Sequence, residues 1–281
     1  VTTLTLSDIA ARHLLTSIKD DVLTITMNRP NKLNGWTMDM MESLKEAFSL
    51  ANTDENVKAI ILTGVGKYYS AGVNLAGTLK VMPPKALHEL IVKNNQRLFE
   101  VFLNCEKPLL VAINGPAIGA SVTSATLANC IVAADNATFS TPFSALGITP
   151  EGCSSYHFPR LLGEENCQRM LGKEGWKPTA EEALTVGLVQ KVVPQALLME
   201  EANRIAQDWI TNKEERQFLA NSSLKALQAA NTSESVQLAD AFMSAAFLKA
   251  QARFFFTKKK YAPSITFCML WALRPLWARF L

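Results

Sequence analysis

Two short runs, Ala59-Ile-Ile-Leu-Thr63 and Leu109-Leu-Val-Ala-Ile113, are almost wholly apolar and are bounded by Gly or Pro. They are too short for helices, and the lack of polar alternation predicts strands covered on both faces. Between them Leu87, Leu90, Ile91, Leu98, Val101 and Phe102 recur at helical spacing across residues 86–104. A doubly buried strand, a helix and a second doubly buried strand is the rhythm of an α/β fold with mostly parallel pairing.

The rest of the chain extends that rhythm. Leu23-Thr-Ile-Thr-Met27 alternates with period two and stops at Asn28-Arg-Pro-Asn31, a strand running into a turn. Thr37 is placed to cap a helix carrying Met41, Leu44, Phe48 and Ala51 on one face, with Asp39, Glu42 and Glu46 towards its start. A further unit runs from Gly119 through a helix of small residues to the strand-like Cys130-Ile-Val-Ala-Ala134. Thr179-Ala-Glu-Glu182 has the pattern of a capping box, with Gly187 as the stop. Residues 196–209 and 222–230 read as helices and no strand is expected beyond about residue 200. The chain thus divides into a core over 1–200 and a helical C-terminal region over 201–281, a candidate oligomerisation element.

At 281 residues, 48% apolar and 19% charged, the chain can bury a large core. A net charge of +3, with Lys and Arg dispersed except at Lys258-Lys-Lys260, gives no nucleic-acid footprint. Cys105, Cys130, Cys153, Cys167 and Cys268 are odd in number and form no C-x-x-C pair, which argues against a disulfide framework or zinc site and for a reducing compartment. His13, His88 and His157 are too dispersed to suggest any metal site. The N-terminus lacks the pattern of a secretion signal, so a secreted protein is not expected. Residues 264–281 are strongly apolar but interrupted by Arg274-Pro275, and a span needs about 20 apolar residues. This tail is expected to pack on the body or on a neighbouring subunit; an interfacial membrane helix is the weaker alternative.

Chemistry concentrates in three places. Tyr69-Ser-Ala-Gly-Val-Asn-Leu75 and Asn114-Gly-Pro-Ala-Ile-Gly-Ala-Ser121 each follow an apolar run and offer backbone N–H groups, the second at a helix start where unpaired donors favour negative charge. Either turn alone is equally compatible with a tight connection in which glycine merely permits the path. Thr149-Pro-Glu-Gly-Cys153 holds one acid, Glu151, with no Lys or Arg nearby in sequence. Its bland reading is a loop or capping carboxylate; its sharp reading is a desolvated base. Paired amide donors and one base suit removal of a proton beside a carbonyl. Cys153, near His157, lacks the spacing of a catalytic pair and reads as a small buried hydrophobe.

With these motifs in order, residues 22–209 resemble the enoyl-CoA hydratase/isomerase (crotonase) superfamily. Asn28-Arg-Pro-Asn-Lys-Leu-Asn34 is similar to its adenine-contacting turn, and the Tyr69 and Asn114 turns to its two oxyanion-hole turns. The resemblance implies an α/β crotonase-type spiral of β-β-α repeats with a C-terminal helical region that helps form trimers or hexamers. It also implies an acyl-CoA substrate and no cofactor, the coenzyme A thioester being the substrate itself. Hydratases of the family carry acids where this chain has Thr123 and Phe143. The Thr-Pro-Glu-Gly-Cys run instead resembles peroxisomal-type Δ3,Δ2-enoyl-CoA isomerases. Ala120 stands where glycine is common and Asn74 where Asp is common.

The reaction implied is migration of a double bond in β-oxidation, with Glu151 as base and the amides of Ala71 and Ala120 holding the enolate. Substrate contacts are expected from Lys32, Leu33, Ser70, Ala71, Gly72, Val73, Asn74, Leu75, Gly119, Ala120, Thr123 and Phe143, with residues 79–90 as a wall of the acyl pocket. Alternatives are a hydratase or other acyl-CoA enzyme of the superfamily, and a non-catalytic acyl-CoA-binding protein. Peroxisome or mitochondrion is the implied compartment, with the cytoplasm as alternative; Arg279-Phe-Leu281 is not a Ser-Lys-Leu signal.

Overall fold

The computed structural model describes residues 2–73 and 82–280. Its strands are β1 (Leu14–Lys19), β2 (Val22–Met27), β3 (Ala59–Gly64), β4 (Leu109–Ile113), β5 (Ala117–Ile118), β6 (Cys130–Ala134), β7 (Phe139–Ser140) and β8 (Lys191–Val193). The large sheet has the order β1-β2-β3-β4-β6-β8, and β5 pairs with β7 in a small second one. Among the described strands only β1 and β2 are antiparallel partners. The fold is therefore α/β with a largely parallel sheet, as the apolar runs require.

Each face of the large sheet has its own cover. Val22, Ala59, Ile61, Leu110, Ala112, Val132 and Ala134 meet Leu198, Ala202 and Ala206 of the helix Leu198–Asn212. On the opposite face Leu23, Ile25, Ile60, Leu62 and Val111 join Met40, Leu44 and Phe48 of the helix Met38–Thr53. Burying one such Leu or Ile contributes roughly 1.5–3 kcal/mol, and the one hydroxyl on β3, that of Thr63, is satisfied by donating to Ala112 O at 2.8 Å. The helix Leu198–Asn212 straddles residue 200 and belongs to the sheet's cover.

Local signals explain most boundaries. Thr37 Oγ1 accepts from Met40 N and starts its helix; Thr179 and Glu182 form both halves of a capping box. Two strands of the large sheet escape sequence reasoning, as do both two-residue strands of the small one. β1 turns into β2 through Asp20 and Asp21, with φ of 50° and 62°. Two consecutive left-handed residues make the tight hairpin turn usually signalled by Asn-Gly, and Asp-Asp disguises it. β8 is too short to show a period and exists through pairing with β6.

The helix Leu224–Phe242 lies along the helix Pro84–Leu103, where Asn95 Nδ2 donates to Ser235 Oγ at 3.0 Å and Asn231 Nδ2 to Gln96 O at 3.1 Å. The tail folds back as the helix Tyr261–Ala272 against Ala245–Thr257, with Phe267 stacked on Phe255 at 5.6 Å. Ile265, Met269 and Leu276 on the tail face outward. Among the described residues no helix is long and apolar enough to cross a membrane.

Candidate functional site

The turns that follow β3 and β4 are laced together. Tyr69 N donates to Pro116 O, Ile118 N to Ser70 O, and Ser121 Oγ to Ser70 O at 3.0 Å. Asn34, fully buried, binds the first turn from the other side: its Nδ2 donates to Val65 O and Tyr68 O, each at 2.9 Å, while its carbonyl accepts from Ser70 Oγ at 2.8 Å. Asn114 reaches Gly64 N and Gly66 O in the same manner. The side-chain amides of Asn34 and Asn114 find partners on the backbone around both turns and so brace it.

The backbone requires glycine at Gly72 and at Gly119. Gly72 has φ of +74°, and a Cβ there would stand 2.3 Å from Ile118 O. Gly119 has φ of +61° and ψ of −126°, a region closed to side chains, and immediately precedes the helix Ala120–Ala125. The amides that emerge differ from the expected pair. Ala71 N donates to Leu33 O at 2.9 Å, so its hydrogen is already used and Ala71 is corrected as a donor. The amides of Val73 and Ala120 find no acceptor among the described residues. They are neighbours, because a Cβ on Gly72 would lie 3.5 Å from Ala120 N. Ala120 is unpaired because it opens a helix, where the first amides have no intrahelical partner.

Glu151 faces the same space. It lines a cavity of about 70 Å³ together with Val73, Met38, Met41, Leu90, Ile91, Asn94, Asn95, Leu98, Ile148, Leu238 and Phe242. It is the one titratable side chain among these lining residues, is 7% exposed, and its carboxylate accepts no hydrogen bond among the described residues. Burial, and secondarily the charge of Glu234, raise its pKa to about 8. A carboxyl so poised exchanges a proton near neutrality instead of standing as a spectator anion.

The two positions at which acids are missing lie close by. Thr123 is fully buried, and its Oγ1 would be 2.4 Å from a Cβ on Gly152. Phe143 is buried with its ring edge towards Gly119. Neither supplies a charge. Lys32 and Leu33 are exposed on the turn whose carbonyl holds Ala71. Asn74, Leu75 and the start of the expected wall from residue 79 lie outside the described residues; Leu90 does line the cavity. Sequence reasoning misses Asn34, Asn114 and Glu234, since a bracing residue is recognised only by contacts distant along the chain.

The sequence matches the family described as Enoyl-CoA hydratase/isomerase over residues 17–260. It is 40% identical over 192 residues to Enoyl-CoA delta isomerase 2 of Homo sapiens, covering 67% of this chain and 48% of that protein. It is 36% identical over 190 residues to Enoyl-CoA delta isomerase 3, peroxisomal, of Mus musculus, covering 66% and 58%. The aligned part thus spans about half the length of these relatives. A crystal structure of an enoyl-CoA hydratase/isomerase from Pseudoalteromonas atlantica T6c superimposes with a TM-score of 0.75 at 28% identity, over 87% of this chain and 97% of that one. This chain belongs to the enoyl-CoA hydratase/isomerase family.

Proposed function

We propose that this chain is a Δ3,Δ2-enoyl-CoA isomerase. The observation that carries the reading is a single desolvated carboxyl, Glu151, sharing one apolar cavity with Val73, whose amide finds no acceptor among the described residues. The amides of Val73 and Ala120 form an oxyanion hole for the thioester oxygen of a 3-enoyl-CoA. Ionised Glu151 removes a proton from C2, the electrons spread into a dienolate, and the protonated Glu151 returns a proton at C4. The double bond moves into conjugation and the base is regenerated. Lys32 and Leu33 flank the nucleotide, and no cofactor takes part.

Double-bond migration is favoured over hydration because hydration needs water positioned between two acids. Thr123 and Phe143 adjoin the site and neither is a carboxylic acid. The similarity to two enoyl-CoA delta isomerases supports the same choice, and the peroxisomal name of one makes the peroxisome our proposed compartment. A homotrimer or hexamer built through the C-terminal helices is the proposed assembly. The test is isomerisation of 3-enoyl-CoAs of graded length with hydration of 2-enoyl-CoA measured in parallel. Isomerisation is expected to dominate; faster hydration would overturn the reading.

A further inference from the structure

Behind the Glu151 loop stands a second buried acid that does not touch the cavity. Glu234, on the inner side of the helix Leu224–Phe242, is 1% exposed. Its Oε2 accepts from Cys153 N at 2.6 Å, and its Oε1 accepts from Ser155 N at 2.7 Å and Ser155 Oγ at 2.5 Å. These donors surround the start of the helix Ser154–Leu162. The N-cap there is Cys153, which has no oxygen to offer its own helix. Glu234 supplies the missing cap from far along the chain.

That cap holds an unusual piece of backbone. Gly152 and Cys153 are both left-handed, with φ of 70° and 65°, and such a conformation costs a side-chain-bearing residue roughly 1–2 kcal/mol. A Cβ on Gly152 would meet Thr123 Oγ1 at 2.4 Å and Phe99 Cε1 at 2.5 Å, so the loop is pressed onto the core on that side. Ser154 Oγ donates back to Glu151 O at 2.7 Å. The turn that aims Glu151 is therefore fixed by the packing beneath Gly152 and by the carboxylate of Glu234 beside Cys153.

We infer that Glu234 is a positioning residue for Glu151, fixing the double left-handed turn that directs the Glu151 carboxyl into the cavity. This rests on the reading of Glu151 as the base. Burial raises the Glu234 carboxyl above its ordinary range and the hydrogen bonds from Ser155 and Cys153 pull it back down; in its ionised form it adds to burial in keeping Glu151 basic. Other groups on the surrounding helices are neutralised or remote. The Cys153 thiol, raised by burial, donates to Leu227 O, and His157 is pushed down to about 4 by burial. His88 pairs with Asp240 and Arg97 with Glu42, and none of these four lines the cavity. Arg160 lies over the ring of Tyr156. With its oxygens bound to the helix start and turned from the cavity, Glu234 is not the second acid of a hydratase.

The experiment compares pH profiles of 3-enoyl-CoA isomerisation for the wild type, Glu234→Gln, Glu234→Asp and Glu151→Gln. Glu234→Gln should lower kcat by roughly ten- to a hundredfold at nearly unchanged KM, the scale of a misplaced catalytic group. It should also move the acid limb of kcat/KM to lower pH, because the negative neighbour is gone, and Glu234→Asp should return that limb towards its original place. A structural role alone would reduce the active fraction without moving the limb. An unchanged kcat and limb in folded Glu234→Gln, while Glu151→Gln is inactive, overturns the inference and leaves the function standing. Turnover by Glu151→Gln overturns the function itself. Should Glu234→Gln not fold, Ser155→Ala removes one donor at an exposed position: a lower kcat at constant KM supports the inference, and an unchanged kcat overturns it.

Discussion

At the scale of residues, the proposed chemistry rests on a carboxyl without a hydrogen-bond partner and two amides without an acceptor among the described residues. Because burial holds Glu151 up at about 8, kcat/KM should climb with pH and level off above that value in a steady-state profile. A profile flat from pH 6 to 9 would mean another base. The donor at Ala120 can be removed without disturbing the helix it opens, since proline is accepted at the first helical position. Ala120→Pro should keep its circular dichroism and lose roughly 10²–10³ in kcat, the usual cost of one oxyanion donor. The correction from Ala71 to Val73 also belongs to this scale. The run Ser70-Ala-Gly-Val73 marks a donor-bearing turn, but which amide stays free depends on Leu33 O, contributed from another turn.

At the scale of elements, what was legible in the sequence is what local physics decides. The doubly apolar β3 and β4, the Thr37 cap and the Thr179 capping box all carry their cause within a few residues. β1 and β8 do not: one depends on a disguised hairpin turn, the other on pairing with β6. Glu151 was visible as an isolated acid, whereas Glu234, buried on a helix face, looked like any helical glutamate until its partners at Cys153 and Ser155 were placed. Asn34 is the comparable case for the turns. Asn34→Ala leaves Val65 O and Arg29 N without their side-chain partner and takes from Tyr68 O one of its two. It should cost roughly 1–3 kcal/mol in a urea titration and lower kcat as the two turns lose registration.

At the scale of the whole molecule, stability is bounded on the acid side by a buried base. His157 is fully buried and burial lowers its pKa from 6.5 to about 4. The unfolded chain therefore binds its proton first, so stability is full above about pH 6.5 and is lost as pH falls towards 4, by on the order of 3 kcal/mol. Urea unfolding at pH 7 and pH 5 should show a smaller loss in His157→Gln than in the wild type. Glu151 acts with the opposite sign. Its raised pKa favours the folded state fully below about 4.5, and that advantage is lost as pH rises to about 8. The group proposed as the base is thus a stability cost at the pH of its proposed work.

The most direct measurement is turnover of a 3-enoyl-CoA by wild type and Glu151→Gln, with acyl-CoA binding followed separately. The variant should bind its ligand with little change, unfold at higher urea near pH 8, and lose isomerisation by roughly 10²–10⁴, the contribution of a placed proton-transfer group. Turnover within a few fold of wild type in a folded, ligand-binding Glu151→Gln would contradict the assignment of Glu151 as the base.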